Sequence, residues 1–138
     1  MTRINLIDPE LLTDQHLFSE FREIKMVPKA LSRSLAARGI SGVRDIIPER
    51  FTLNKGHVAF FYDKGLYLER RYAEIKTELR LRGIHFNEAS PFDPDRVYEN
   101  NPTLYNDYCP DELAIKIITT RLMEKIAMRP EWYRYSRR

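Results

Sequence analysis

The residues best suited to covalent chemistry stand at the start of the chain and about one helix length further on. Thr2 follows Met1 and is small enough that removal of Met1 is the usual expectation, which leaves an α-amine beside a hydroxyl. An α-amine has a reference pKa of about 7.7–8.0, against roughly 10.4 for lysine, so roughly a tenth of such amines are uncharged at neutral pH. Glu23 then places a carboxylate, beside the cation of Arg22, on an amphipathic segment. We interpret Thr2 and Glu23 as two halves of one active site in which the amine forms a Schiff base with a carbonyl or sugar carbon.

A metal site is the competing interpretation of the same segment. His16 and Glu20 stand four residues apart, a spacing compatible with two ligands on one helix face. The HExxH arrangement is absent, and the single cysteine, Cys109, cannot build a Cys-rich zinc site. A helix with one histidine and scattered acids is usually just polar, and Glu23 taken alone is an ordinary helix glutamate. We therefore expect no metal and no cofactor.

Length and composition predict one compact domain spanning residues 1–138. Hydrophobic residues make up 43% of the chain and charged residues 31%, as in an ordinary globular protein with a single core. The lone cysteine excludes an intrachain disulfide and fits a reducing compartment. No apolar run approaches the roughly 20 residues of a membrane helix, and a signal-peptide pattern is absent. We expect a cytoplasmic monomer with no obligate protein partner.

Periodicity and helix-end signals predict an all-α, mainly helical fold of three main helices with long irregular loops. The first helix covers about 14–37, kinked or split near residue 25 by Pro28, and it ends at Gly39. Residues 39–62 are expected to be loop with little regular structure. The second helix runs from a cap at Asp63 to about Arg82, with Gly83 as its stop. Its mixed charges indicate a structural helix.

The third predicted helix begins at Pro110-Asp111 and ends near Met128, before Pro130. Its expected core face is formed by residues at helical spacing: Ile115, Thr119, Leu122 and Ile126. After it comes an aromatic C-terminal tail that we expect to be ordered, EWYRYSRR at 131–138, in which Trp132, Tyr133 and Tyr135 alternate with arginines. Aromatic rings beside cations suit base stacking and phosphate contact, although they equally suit a tail whose rings cover the core.

Positive charge is concentrated on certain faces, although the net charge is only +3. The first helix carries a basic face of Arg22, Lys25, Lys29 and Arg33, and the third carries a basic edge of Arg121, Lys125 and Arg129. For an isolated helix such a face is usually only solvated. If the first and third helices are neighbours, however, these basic edges line one groove, which favours a nucleic-acid partner. The acidic, proline-rich stretch 86–112 would face away from a polyanion.

Several motifs, in order along nearly the whole chain, carry a family resemblance. They are MTRINL at 1–6, DQHL at 14–17, the Arg22-Glu23 pair, GHVAFFYDK at 56–64, RGI at 82–84, DYCP at 107–110 and RLMEKIAMRPEWYRY at 121–135. On these motifs the sequence resembles the phage-type endonuclease V family of pyrimidine dimer DNA glycosylase/AP lyases.

The resemblance implies a DNA-repair enzyme that excises cyclobutane pyrimidine dimers from duplex DNA without a metal. The Thr2 amine would attack the anomeric carbon of the 5′ sugar of the dimer, leaving an imine, and β-elimination would cleave the strand on the 3′ side. Glu23 would be the catalytic carboxylate, aided by Arg22, while the adenine opposite the dimer is flipped out of the stack. The DNA contacts implied by the resemblance or by the basic and aromatic patterns are Arg3, Gln15, His16, Arg22, Lys25, Lys29, Arg121, Lys125, Trp132, Tyr133 and Tyr135.

One position departs from the family pattern, and two other functions compete with this one. The family has an arginine three residues after the catalytic glutamate, where this chain has Met26, with Lys25 or Lys29 as the nearest substitutes. The competing functions are a non-catalytic DNA-binding module that uses the same basic helices, and a metal-dependent nuclease. The same imine chemistry on a different lesion is a further alternative.

Overall fold

The computed structural model describes residues 3–136, and within them the fold is entirely helical, with no β-strand. The longer helices are α1 (Asp14–Glu23), α2 (Met26–Ile46), α4 (Gly65–Leu81) and α6 (Glu112–Met128); α3 (His57–Phe60) and α5 (Val97–Asn100) are single turns, and two 3₁₀ turns lie at Pro9–Leu11 and Pro102–Leu104. The predicted all-α class is confirmed. None of these helices is both long enough and apolar enough to cross a membrane.

The first predicted helix is two helices, with the break at the position where a kink was expected. The Thr13 hydroxyl accepts a hydrogen bond from the His16 amide at 3.0 Å and so starts α1. After the turn at Ile24 and Lys25, α2 begins at Met26. Pro28 therefore lies in the first turn of α2, where a missing N–H removes no intrahelical hydrogen bond.

The end of α2 differs from the prediction. Gly39 adopts φ 72° and ψ 175°, which interrupts the helical path, but the chain resumes helix to Ile46. Val43 is fully buried and holds this second part against the core. The expectation of a loop with little regular structure over 39–62 was wrong for 40–46 and for α3, because burial of apolar side chains outweighed the glycine signal there.

The start of α4 also differs. The helix begins at Gly65, and the preceding Lys64 makes no side-chain cap; Asp63, the predicted cap, instead pairs with the Lys64 ammonium at 2.8 Å. A Cβ at Gly65 would lie 2.5 Å from the Tyr98 ring, so the close packing of α5 on α4 requires glycine at this position. The buried apolar side chains of α4 recur at helical spacing: Leu68, Tyr72, Ile75 and Leu79. The chain leaves the helix at Gly83 with φ 71°, as the predicted stop required.

The core face of α6 is rotated relative to the prediction. Asp111 caps the helix by accepting the Ala114 amide at 2.7 Å, as expected. The buried residues are Ala114, Ile118 and Leu122, whereas the predicted Ile115, Thr119 and Ile126 are only partly buried. The helix also exposes Leu113, Met123 and Met128. Because apolar residues occur all around α6, its periodicity did not define one face.

Candidate functional site: a groove between the N-terminal segment, α1 and α6

A groove of about 290 Å³ lies where the N-terminal segment, α1, α6 and the C-terminal tail meet. It brings together six of the predicted site residues, Arg3, His16, Glu23, Arg121, Lys125 and Tyr133, and adds Asn5, Ser19, Glu20 and Leu122. Of the predicted basic edge of α6, Arg121 and Lys125 face the groove, whereas Arg129 lies over the Trp132 ring. The α1 wall, however, contributes carboxylates and not its basic face, so the two helices present opposite charges to the same space.

Side chains from distant parts of the fold hold three successive backbone amides of the N-terminal segment. The Arg3 amide donates to Glu23 Oε1 at 3.0 Å, the Ile4 amide to His57 Nε2 at 2.9 Å, and the Asn5 amide to Glu20 Oε1 at 3.1 Å. Ile4 and Asn5 are buried. An irregular segment is thereby fixed against α1 without belonging to a helix or sheet.

Glu23 lies half-buried at the last turn of α1, on the groove. Burial raises the pKa of its carboxyl group, and the hydrogen bond from the Arg3 amide opposes that shift. A raised pKa makes the protonated carboxyl group easier to form, so Glu23 is suited to taking up and releasing a proton. The predicted partner Thr2 lies outside the described residues.

Glu20, one turn before Glu23, is anchored by Arg71 of α4. The Arg71 Nε atom donates to Glu20 Oε2, and its Nη2 donates to Glu20 Oε1 at 3.0 Å. Both side chains are almost completely buried. A third bond runs from Arg71 Nη1 to the Ile7 carbonyl at 2.9 Å, so this arginine also holds the chain after the N-terminal segment.

His16 joins α1 to the tail. Its Nδ1 lies 2.9 Å from the Thr13 hydroxyl, and its ring stacks on Tyr133 with centroids 4.7 Å apart. Burial, followed by the positive charge of Lys125, lowers the pKa of His16. The neutral ring is therefore favoured in the groove. The described residues contain no cluster of three metal-ligating side chains around it.

The described part of the C-terminal tail, up to residue 136, is bound to the start of α1. The Gln15 Nε2 atom donates to the Trp132 carbonyl at 2.6 Å, and Gln15 Oε1 accepts the Arg134 amide at 3.0 Å. Asp14 accepts the Ser136 amide at 3.0 Å and is paired with Arg82 at 2.9 Å. Trp132 and Tyr135 remain exposed, at 48% and 61%. The tail thus presents aromatic surface beside the groove while its backbone is bound to α1.

The groove is electrostatically suited to an anion. The pKa of Arg3 is lowered, first by burial and then by the positive charge of Arg121, with Glu23 acting in the opposite direction. An anion placed beside the Arg3 guanidinium would stabilise its charge, and charge-assisted hydrogen bonds from arginine to phosphate are strong. Arg3 and Arg121 are therefore suited to hold a phosphate near Glu23.

The remaining predicted residues do not line this groove. Arg22 and Lys29 are exposed beside it in sequence, and Met26 is 42% exposed. Lys25 Nζ instead donates to Ser90 Oγ at 2.8 Å and lies 4.4 Å from the Phe21 ring centre. Burial and then the charges of Lys29 and Arg22 lower the pKa of Lys25. Of the two substitutes for the missing family arginine, Lys29 has the more exposed side chain.

Sequence reasoning missed the supporting residues Glu20, Arg71 and His57 in these roles. Their contacts join positions 51 and 53 residues apart, which no local pattern reveals. The one available signal was His57 directly before the apolar run 58–62, since a titratable group that is buried with its neighbours requires partners.

Comparison with known families agrees with this geometry. A family model described as pyrimidine dimer DNA glycosylase matches residues 1–91, which include the N-terminal segment, α1 and most of the groove's supporting residues. The match covers more than half of the chain, and the protein therefore belongs to the pyrimidine dimer DNA glycosylase family. Its activity is accordingly that of a DNA-repair glycosylase with DNA as substrate.

Proposed function

We propose that the protein excises cyclobutane pyrimidine dimers through an imine and then cleaves the strand. The neutral Thr2 amine attacks C1′ of the 5′ sugar of the dimer, forming an N–C1′ bond as the glycosidic C1′–N bond breaks. The base leaves with the bonding electron pair and takes up one of the two amine protons. The C1′–O4′ bond then breaks as the nitrogen lone pair forms the C1′=N bond of the imine, and O4′ takes up the second proton to become a hydroxyl group. Removal of a C2′ proton then expels the 3′ phosphate by β-elimination.

The observation that carries this proposal is the bond between Glu23 Oε1 and the Arg3 amide, 3.0 Å long. Three covalent bonds separate that amide nitrogen from the α-amine of Thr2, so the two nitrogens are at most about 4 Å apart in any conformation. The amine is therefore within about 7 Å of the Glu23 carboxylate. A sugar carbon bonded to this amine would lie next to a half-buried carboxylate.

The environment of Glu23 supports two tasks in turn. As a carboxylate it stabilises positive charge that develops on the sugar and on the imine. As a carboxylic acid or base with a raised pKa it moves the proton that β-elimination requires. Arg22, exposed next to it, is the proposed cation that approaches the DNA near the lesion.

Recognition of damaged duplex DNA would use the groove and its borders. Arg3, Arg121 and Lys125 are proposed to neutralise phosphates. The His16–Tyr133 stack and the exposed Trp132 offer ring faces to unstacked bases, while Gln15 contributes by holding the tail. Lys25 and Lys29 extend the basic border. A single copy of the chain supplies all these residues, so we propose that it acts as a monomer.

The test is borohydride trapping of a covalent complex with ultraviolet-irradiated duplex DNA in the presence of EDTA. We expect wild-type protein to be trapped, and Glu23→Gln to lose strand cleavage while it still binds the DNA. Glu49→Gln, in an exposed loop, is the matched control and should behave as wild type.

Each competing function predicts a different result in that assay. Salt-dependent binding without trapping would contradict the proposal and indicate a non-catalytic DNA-binding module. Incision that disappears in EDTA would contradict it in favour of a metal-dependent nuclease. Trapping on other damaged bases but not on dimers would support the imine mechanism and contradict the proposed substrate.

A further inference from the structure

His57 occupies an unusual position for a histidine. It opens the short helix α3, its side chain is 1% exposed, and it lies 53 residues from its partner Ile4. Its Nδ1 is 2.8 Å from the Thr52 carbonyl oxygen, and its Nε2 is 2.9 Å from the Ile4 amide nitrogen. Neither contact belongs to the groove lining.

These two contacts determine which ring nitrogen carries the proton. A carbonyl oxygen only accepts, so Nδ1 must carry the hydrogen and donate it to Thr52. Nε2 is then left with a lone pair and accepts the Ile4 N–H. A single neutral tautomer satisfies both contacts, whereas the doubly protonated ring could not accept from Ile4.

Aromatic packing prevents the ring from turning away. Phe51 and Phe61 both meet the His57 ring edge-on, with centroids 5.4 Å away in each case. Both phenylalanines are buried. The preceding Gly56 approaches Pro48 so closely that a Cβ would lie 2.7 Å from the Pro48 Cγ, so the loop that carries His57 is itself fixed.

We propose that His57 is a positioning residue for the N-terminal amine, acting through the Ile4 amide. This proposal rests on the proposed function above. The His57 bond to Ile4 and the Glu23 bond to Arg3 hold adjacent amides of one segment, so loosening the first lets the second shift. The chain end that carries the amine begins two residues before Ile4, and small displacements of reacting groups slow a reaction strongly.

The charges around His57 favour the neutral form that this role requires. Burial is the main cause that lowers its pKa, to about 4, and Arg3 of the N-terminal segment acts in the same direction. The Thr52 carbonyl and Glu20 of α1 oppose the shift. The acceptor on Nε2 is consequently available at neutral pH.

The experiment compares His57→Phe with His57→Gln on a duplex that contains an abasic site. Phenylalanine keeps the aromatic packing but has no acceptor, whereas the glutamine amide oxygen reaches the position of Nε2. At saturating DNA we expect the single-turnover trapping rate of His57→Phe to fall roughly 10- to 100-fold. The dissociation constant for the same DNA should stay within about twofold, and His57→Gln should recover most of the rate.

Two outcomes separate this inference from the proposed function. If wild-type protein is not trapped at all, the proposed function fails. If wild-type protein is trapped and His57→Phe is trapped equally fast, the positioning role of His57 is contradicted while the proposed function stands. Should His57→Phe not fold, His57→Asn replaces it, because the Asn amide nitrogen can donate to the Thr52 carbonyl but the side chain is too short to place an acceptor at the position of Nε2. Equal rates for the Asn and Gln variants would overturn the inference.

A spectroscopic readout tests the geometry independently of activity. The ¹⁵N chemical shifts of His57 should be those of the Nδ1–H tautomer at pH 7, and the Ile4 amide should exchange slowly with solvent. In His57→Phe the exchange of the Ile4 amide should accelerate. The Nε2–H tautomer, or unchanged exchange in the variant, would contradict the inference.

Discussion

At the residue scale, two glutamates one turn apart on α1 have different surroundings and so different tasks. Glu20 is buried and held by two hydrogen bonds from Arg71. Glu23 is half-buried on the groove and accepts the Arg3 amide. Glu20 therefore holds the N-terminal segment in place through the Asn5 amide. Glu23 faces the space where the sugar is proposed to bind.

The buried pair leads to a stability prediction with a control on the neighbouring residue. Arg71→Met leaves Glu20 buried without its cation, which should lower the free energy of unfolding by about 3–5 kcal/mol. Arg70→Met removes an exposed pair with Asp107 and should cost less than about 1 kcal/mol. Urea unfolding measures both. Equal losses for the two variants would show that the buried pair has no special role.

The carboxyl group of Glu23 gives a second prediction at this scale. Because burial raises its pKa, a ¹³C NMR titration should place its midpoint above the ordinary glutamate value. A midpoint for Glu23 at or below the ordinary glutamate value of 4.5 would contradict the proposed proton-transfer role.

At the element scale, the order of the C-terminal tail depends on the first turn of α1. Gln15 bonds the tail through both its amide nitrogen and its amide oxygen, and Asp14 binds Ser136. In the structure Gln15 thus supports the tail, whose exposed aromatic side chains are Trp132 and Tyr135.

The tail can be followed through its own fluorescence, because Trp132 is the single tryptophan. Gln15→Ala removes both bonds, so Trp132 anisotropy should fall and affinity for DNA should decrease by about tenfold. Gln15→Glu keeps the acceptor for Arg134 and loses the donor to Trp132, and it should give an intermediate effect. Unchanged anisotropy in Gln15→Ala would mean that other contacts order the tail.

Helix starts were predictable where a polar side chain caps them, as Thr13 and Asp111 do, because the capping bond is local. The end of α2 was not predictable in this way. Gly39 is a helix-stop signal, but the burial of Val43 stabilises the helical residues that follow it. In the site, six of the groove-lining side chains were predicted from the sequence, whereas the basic face that helical spacing predicted on the first helix does not line the groove. The bonds from Glu20 and His57 to the N-terminal segment could not follow from sequence, because they depend on how the elements pack.

At the scale of the whole molecule, buried titratable groups couple stability to pH. His57 has a pKa lowered to about 4, mainly by burial. Burial alone would raise the pKa of Asp14, but hydrogen bonds from Ser136 and Arg82 lower it overall. Both groups bind protons more weakly in the folded state, so both make stability fall on acidification.

The two groups act in successive pH ranges. The contribution of His57 is complete above its ordinary pKa of about 6.5 and is lost as the pH falls from there towards 4. The contribution of Asp14 to stability is lost only when the pH falls below the ordinary aspartate pKa of 3.8. Urea unfolding at pH 7 and pH 4 should show a decrease on the order of 3 kcal/mol, a large part of which disappears in His57→Gln. An equal decrease in both proteins would contradict the assignment to His57.

The most direct measurement of the central claim is the identity of the residue that carries the trapped sugar. After borohydride reduction, nuclease and protease digestion, tandem mass spectrometry would locate the added mass. The account predicts a single adduct on the α-amine of Thr2. An adduct on a lysine side chain, such as that of Lys25 with its lowered pKa, would contradict it.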